Sequence, residues 1–423
     1  MTQTVFTIVS DVPAPALEGL RATLRQIRGT LGQPTGDNPV LPFAQLPGLH
    51  FSSLVLAEGP SLDPSKLIFE LNVDGTPDDF LAALVAKVGP GLDQLYAGAE
   101  GYPGRENATA VRAWLKERVV RAGAYHIGAT GRTLERIQQE ARLHDAIQEF
   151  LGTEEAAGRL QGASNDTVRA RVQEMVRADP SFAWTRSTPP RQTQRERLMH
   201  QARLYGAIAG AVVLSPVLVP VLLVWAAVLL VSERLDPVQK GPPDPAQVQR
   251  LEAEEDFFAQ NHLSSVIKVK PGPLRRVTLP AVLMALNLIA RVTATKGELG
   301  GIPSIHFAHW SLIDDGRHLL FLSNFDGSWE SYLGDFIDKA AIGLTAVWSN
   351  TVDFPRTRLL AFQGAADGPR FRQWARAHQC PTAAFYTAYP TFTMATVDNN
   401  TSIREGLFAD LDEKGTAEWL AKL

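Results

Sequence analysis

Cysteine is almost missing from this chain: Cys380 stands alone among 423 residues. That excludes an intrachain disulfide and a cysteine-built zinc cage. An excess of one charge is missing too. A formal net charge of −4, with 20% charged residues, gives no basic stripe of the kind that binds nucleic acid. The opening MTQTVFTIVSDV has no basic segment followed by an apolar run, so no signal peptide is expected there and a cytoplasmic, reducing setting is the natural expectation. The chain also lacks G-x-x-x-x-G-K-[ST], a strand-linked G-x-G-x-x-G, H-E-x-x-H and G-x-S-x-G, which removes the phosphate cradle, the dinucleotide turn, the zincin helix and the nucleophile elbow. What remains is an ordinary composition, 45% hydrophobic, in a chain long enough for two or three domains.

One stretch lacks charge altogether. Leu204 to Val231, LYGAIAGAVVLSPVLVPVLLVWAAVLLV, runs 28 residues without an ionisable acid or base. A spanning helix needs about 20 apolar residues, so a membrane segment is expected. Ser215-Pro216 and Pro220 interrupt the run and divide it into arms of about a dozen residues. Each arm would be roughly 18 Å long, enough for one leaflet but too short to span. Arg191, Arg195, Arg197 and Arg203 precede it, placed to meet anionic lipid and to mark a cytoplasmic face.

The chain also repeats itself. LHFSSLVLAE (49–58) matches IHFAHWSLID (305–314), and KLIFELNVDG (66–75) matches HLLFLSNFDG (318–327). Further along, VRAW (111–114) pairs with FRQW (371–374), and AYHIGAT (124–130) with AFYTAYP (384–390). Matches in the same order with small changes of offset argue for duplication. Each copy reads as strand, helix, two strands, helix, strand: alternating β-branched residues mark strands, and Leu17, Leu20, Leu24 and Ile27 mark the first helix by their three- and four-residue spacing. In the shared D-G motif, Thr76 and Ser328 are expected helix N-caps.

The order β-α-β-β-α-β is the ferredoxin-like unit. The expected fold class is therefore α+β: two fused ferredoxin-like units (1–150 and 264–423) forming an intrachain dimeric α/β barrel, with a helical, membrane-inserting middle segment (151–263). Pairing within one chain requires both units on one side of the bilayer, so the apolar run must enter and return as a hairpin. The alternative is a single kinked span, with the units pairing between chains or not at all.

This pattern resembles the dimeric α/β-barrel superfamily, and its duplicated form resembles dye-decolourising peroxidases, which hold haem. The resemblance implies an oxidoreductase of the haem-peroxidase kind. His306 and His309 are then the candidate haem-iron ligands, since an axial histidine is the usual need. Strand alternation places one of the two in the sheet interface. GAADG (364–368) fits the G-x-x-D-G motif of those peroxidases and makes Asp367 a candidate catalytic residue, with Arg356 as a distal charge and Asp326 beside it. Trp310, Phe325 and Trp329 belong to an aromatic cluster confined to the second copy and are the candidate pocket walls. A non-catalytic module binding an apolar or lipid-like ligand near the membrane is the other expectation.

Overall fold

The computed structural model describes residues 3–187, 194–293 and 299–423. The first half runs β1 (Gln3–Val12), α1 (Leu17–Arg28), β2 (Leu49–Gly59), β3 (Leu62–Asp74), α2 (Pro77–Tyr96), α3 (Ala108–Glu117), β4 (Val119–Arg121), β5 (Ala124–Ile127) and α4 (Leu134–Ala156). Then come α5 (Asn165–Ala178), α6 (Gln194–Val213), α7 (Ser215–Leu235) and α8 (Pro245–Glu252). The second half runs β6 (Gln260–Lys268), α9 (Pro273–Thr293), β7 (Ile305–Ile313), β8 (His318–Asp326), α10 (Trp329–Lys339) and α11 (Ala341–Trp348). It ends with β9 (Thr357–Arg358), β10 (Phe362–Gln363), α12 (Gly368–His378), β11 (Gln379–Cys380), β12 (Ala384–Thr387), α13 (Met394–Leu407) and α14 (Glu413–Leu420).

The fold is mixed α+β with antiparallel sheets. One sheet has the order β12-β2-β3-β1-β4 and the other β11-β6-β8-β7-β5. Written in terms of the repeat, the two orders are the same. Each sheet borrows its outermost strand from the other half: Ala124–Ile127 pairs with β7, and Ala384–Thr387 pairs with β2. This corrects one expectation from the sequence. AYHIGAT and AFYTAYP do not close their own sheets. The short Val119–Arg121 and Gln379–Cys380 take that place, and the better strand crosses over.

Local chemistry explains the element boundaries. Thr76 and Ser328 accept from the backbone N–H of Asp79 and Ser331 and cap α2 and α10. The helices that follow the two D-G motifs break at matching points. Val88 inside α2 has φ −125° and ψ 22°, and Ala340 between α10 and α11 has φ −127° and ψ 10°. One helix was expected over Ser328–Trp348, but the chain forms two.

Each sheet buries one face under its own helices. Phe6, Leu54, Phe69 and Leu71 pack beneath α1 and α2, while Trp310 and Phe321 pack beneath α9 to α12, against Trp348 of α11 and Trp374 of α12. The opposite faces meet one another, joining Val55, Ala57 and Ile68 to Ile313, Leu320 and Leu322. A separate helical core of Leu143, Ile147, Val172, Ile403, Leu407 and Trp419 ties α4 and α5 to α13 and α14. Helix α4 runs on to Ala156, and β6 begins at Gln260.

The apolar run does not fold as a hairpin. Pro216 sits in the first turn of α7, Pro220 lies inside it, and the helix continues unbroken to Leu235. The Leu214 N–H donates to Gly210 O and its own carbonyl accepts from Leu218 N–H, so α6 and α7 join end to end. Val217, Leu222, Leu223, Val224, Val228 and Val231 are exposed. Helix α9 buries Leu279 and Leu283 against its sheet but exposes Val277, Met284 and Ile289. Two segments, Ser215–Leu235 and Pro273–Ala290, are long and apolar enough to cross a membrane. The second was not foreseen. Arg203 is exposed midway along α6, whereas Arg191 and the side chains of Arg195 and Arg197 lie outside the described residues.

Candidate functional site: a buried polar centre between the sheets

Period-two alternation aims Thr7, Ser53, Glu70 and Asn72 of one sheet at His262, His309 and Asn324 of the other. Glu70 is wholly buried, and a charge there persists only with partners. It has them. Ser53 Oγ donates to Oε2 at 2.9 Å, and the Asn72 and Asn324 amides donate to Oε1 at 3.0 and 3.1 Å. His262 Nε2 lies 3.1 Å from Oε2, off the line of a straight hydrogen bond, so that contact is mainly electrostatic. His309 Nδ1 lies 3.8 Å from Oε1. The outer ring nitrogens are also held, His262 Nδ1 by Thr382 Oγ1 at 2.8 Å and His309 Nε2 by Thr7 Oγ1 at 2.9 Å.

Burial alone would push the Glu70 carboxyl up. The His262 contact, the charges of His262 and His309 and the Asn72 amide outweigh it and hold it at about 2. Burial is the largest influence on His309 and lowers it, against the pull of Glu70. The centre is one-sided. In strand register, Leu322, Val5 and Ser53 stand where the pseudo-symmetric copies of Glu70, His262 and His309 would be.

The duplicated D-G motif does more than punctuate. Asp74 Oδ1 meets His50 Nε2 at 3.1 Å, while its Oδ2 accepts from Leu134 N at 2.8 Å. Asp326 Oδ1 meets His306 Nε2 at 2.7 Å, while its Oδ2 accepts from Met394 N, also at 2.7 Å. Each aspartate thus fastens a strand histidine to the start of the helix after the crossing strand, α4 or α13. A negative group is favoured at that helix end. Between the pairs sits Tyr389, its hydroxyl 3.3 Å from His50 Nδ1. Burial, then the charges of Asp326 and Asp74, raise it well above its usual range.

The expected residues divide among separate places. His309 faces the sheet interface and Trp310 the helical core. His306 also reaches the interface region, with Phe51 at 5.0 Å and Tyr389 at 5.8 Å between ring centres. A β-bulge between Ile305 and Phe307 breaks the alternation there, and its twin lies between Leu49 and Phe51. So both histidines, rather than one, point toward the interface, held by different carboxylates and not paired on one metal. Phe325 and Trp329 pack with Trp310 in the core of the second half. Arg356 is exposed and donates to Arg234 O. Asp367 caps α12 and pairs with Arg370 at 3.4 Å. Of the expected catalytic and ligating residues, only Asp326 and His306 are brought together.

A haem does not fit these residues. Close-packed rings surround His306, and His309 is fully enclosed between the sheets. The cleft that borders His262, lined also by Arg28, Gln33, Glu254, Phe257 and Phe385, holds about 70 Å³, far below the roughly 300 Å³ at which cofactor pockets begin. An open trough of about 810 Å³ between α4 and α5 is bordered by Phe150, Glu154, Arg171 and Met175 and by no histidine. Among the described residues no three histidine, cysteine or carboxylate side chains are arranged for a metal ion.

No protein-family model matches the chain, and no curated protein matches it either. What it does must be argued from its own residues. Glu70, His262, Asn324 and Tyr389 were missed in the sequence. One signal was present: Glu70 is the lone acid within KLIFELNV, the central stretch of β3.

Proposed function

We propose that the chain is a membrane-associated binding module. In this reading two duplicated ferredoxin-like units pair as an intrachain α/β barrel, held on one leaflet by α6, α7 and α9 and facing the cytoplasm. The ligand class is apolar or lipid-like, taken from the bilayer on which the exposed helices rest. The carrying observation is the exposed apolar surface of α7, whose two flanks lead back to one folded body. At the near end Glu233 is buried and accepts from Thr357 Oγ1, Leu359 N and Leu360 N at 2.7–2.9 Å. Asp236 is fixed by Lys270 and Arg275 at 2.8 and 2.6 Å. Trp225 Nε1 donates to Thr278 Oγ1 at 2.9 Å, so α7 leans on α9. Toward the other end α6 packs against α9. A rod tethered at both ends to one body supports a single-leaflet, monotopic attachment.

The haem-peroxidase reading is the weaker one, because its axial candidates are buried among close-packed side chains that leave no room for a macrocycle. One experiment separates the two readings. The protein is expressed with ample haem, and its membrane fraction is washed with salt, then with alkaline carbonate. The binding-module reading expects protein that resists salt and has no Soret band. A Soret band lost in His306→Ala or His309→Ala would restore the oxidoreductase, and release by salt alone would remove the membrane attachment.

A further inference from the structure

The near end of the apolar rod carries charge that the fold does not use. Arg234 follows Glu233 at the last turn of α7 and is exposed. Arg356 lies against it, its Nη1 donating to Arg234 O at 3.3 Å. Arg358 follows Thr357, whose hydroxyl donates to Glu233. Arg276 follows Arg275, whose guanidinium holds Asp236. All four are exposed, and none takes part in an ion pair among the described residues.

The neighbouring acids are spent. Glu233 is saturated by three donors, and Asp236 faces Lys270 and Arg275. These engaged charges balance, so the four arginines are surplus. Just above them the apolar surface begins, with Val231 and Val228 on α7 and Val277 on α9. A cationic collar directly beneath an apolar wall matches the order of layers in a bilayer, phosphate first and then hydrocarbon.

We propose that Arg234, Arg276, Arg356 and Arg358 form a headgroup collar that binds the phosphates of anionic phospholipid. This rests on the membrane reading and adds lipid selectivity to it. Guanidinium suits the task because it stays charged and grips phosphate oxygens in pairs. Each basic residue near an anionic surface contributes roughly a fivefold gain in partitioning at low salt, so the four together give on the order of several hundredfold.

The test uses the full chain, diluted from detergent into vesicles and floated on a density gradient. Phosphatidylcholine vesicles are compared with phosphatidylcholine vesicles doped with phosphatidylglycerol. The expected result is strong preference for the doped vesicles. The fourfold variant Arg234→Gln, Arg276→Gln, Arg356→Gln, Arg358→Gln should lose that preference yet still float with the neutral ones. The matching lysine variant should regain most of it, and tryptophan fluorescence should show all three proteins folded alike. A glutamine variant that keeps the preference overturns the collar while leaving the membrane reading intact. So does loss of the preference in inorganic phosphate but not in chloride of equal ionic strength, which would mark a free-phosphate site. Failure to float with either vesicle overturns both readings.

Discussion

Glu70→Ala is the sharpest perturbation of the buried centre. It deletes the acceptor of the Ser53, Asn72 and Asn324 donors and strands His262 and His309 between two sheets. Breaking a buried charged pair from one side costs about 3–5 kcal/mol. The carboxyl's own titration gives a second route to the magnitude. Its fall from 4.5 to about 2 corresponds to about 3 kcal/mol. The sign follows: the folded value lies below the unfolded one, so this stability is present above about pH 4.5 and is lost as pH falls toward 2. His309 is also depressed, and its contribution declines as pH drops below the ordinary histidine value. Both slopes make the wild type acid-sensitive.

The repeat supplies the control. The variant Glu70→Leu, His262→Val, His309→Ser installs the residues found at the pseudo-symmetric positions. It removes the charges together rather than orphaning some, and such replacements are often close to neutral. Urea midpoints by tryptophan fluorescence, with hydrogen exchange of β3 and β6 as the local readout, should rank the single variant below the triple one. The limb below about pH 4.5 should flatten in both, while the His309 slope at higher pH persists in the single variant and disappears in the triple one. A Glu70→Ala protein with the wild-type midpoint and an unchanged acid limb would refute the reasoning.

Asp326→Asn should cost about 1–2 kcal/mol, because a neutral amide weakens both the His306 contact and the helix-end contact. Exchange at the Met394 amide should speed up, while Asp74→Asn acts on Leu134 instead. If both variants left both amides unchanged, the latches would be ornamental. Gly91→Ala should destabilise by more than about 3 kcal/mol, since its Cβ would overlap the Val40 carbonyl. Gly89→Ala, whose Cβ would meet only Arg105 Cβ at 3.9 Å, should be neutral or gain up to about 1 kcal/mol; thermal melts of the pair would expose a misplaced α2 if the order reversed.

The repeat was legible because strand periods and caps are local. His50 and His306, Asp74 and Asp326, and the Thr76 and Ser328 caps fall at matching places with small changes of offset. The strand exchange was not legible. AYHI is a better strand than VVR, but nothing in a four-residue segment says which sheet edge it will join; that depends on where the preceding turn aims it. The break at Val88 and Ala340 was hidden for a related reason. Pro90 hints at it in one copy, and the other copy offers no proline at all, so the shared geometry comes from packing beneath the sheet rather than from propensity.

The site was less legible than the fold because its members come from six strands of two sheets. Attention fell on histidines in the second copy, where alternation placed only one of His306 and His309 in the interface. The bulge at each copy's histidine undid that logic, since one extra residue resets the face that follows. Glu70 gave the better clue. A strand buried on both faces has no cheap place for a carboxylate, so an acid in its middle implies donors arriving from another element. Had the expectation started from that cost, the partners would have been sought across the interface, at positions facing Glu70 in the other sheet, which is where His262, His309 and Asn324 stand. The asymmetry has the same source: once one copy carries Leu322 at the matching position, only the half with Glu70 needs the histidines.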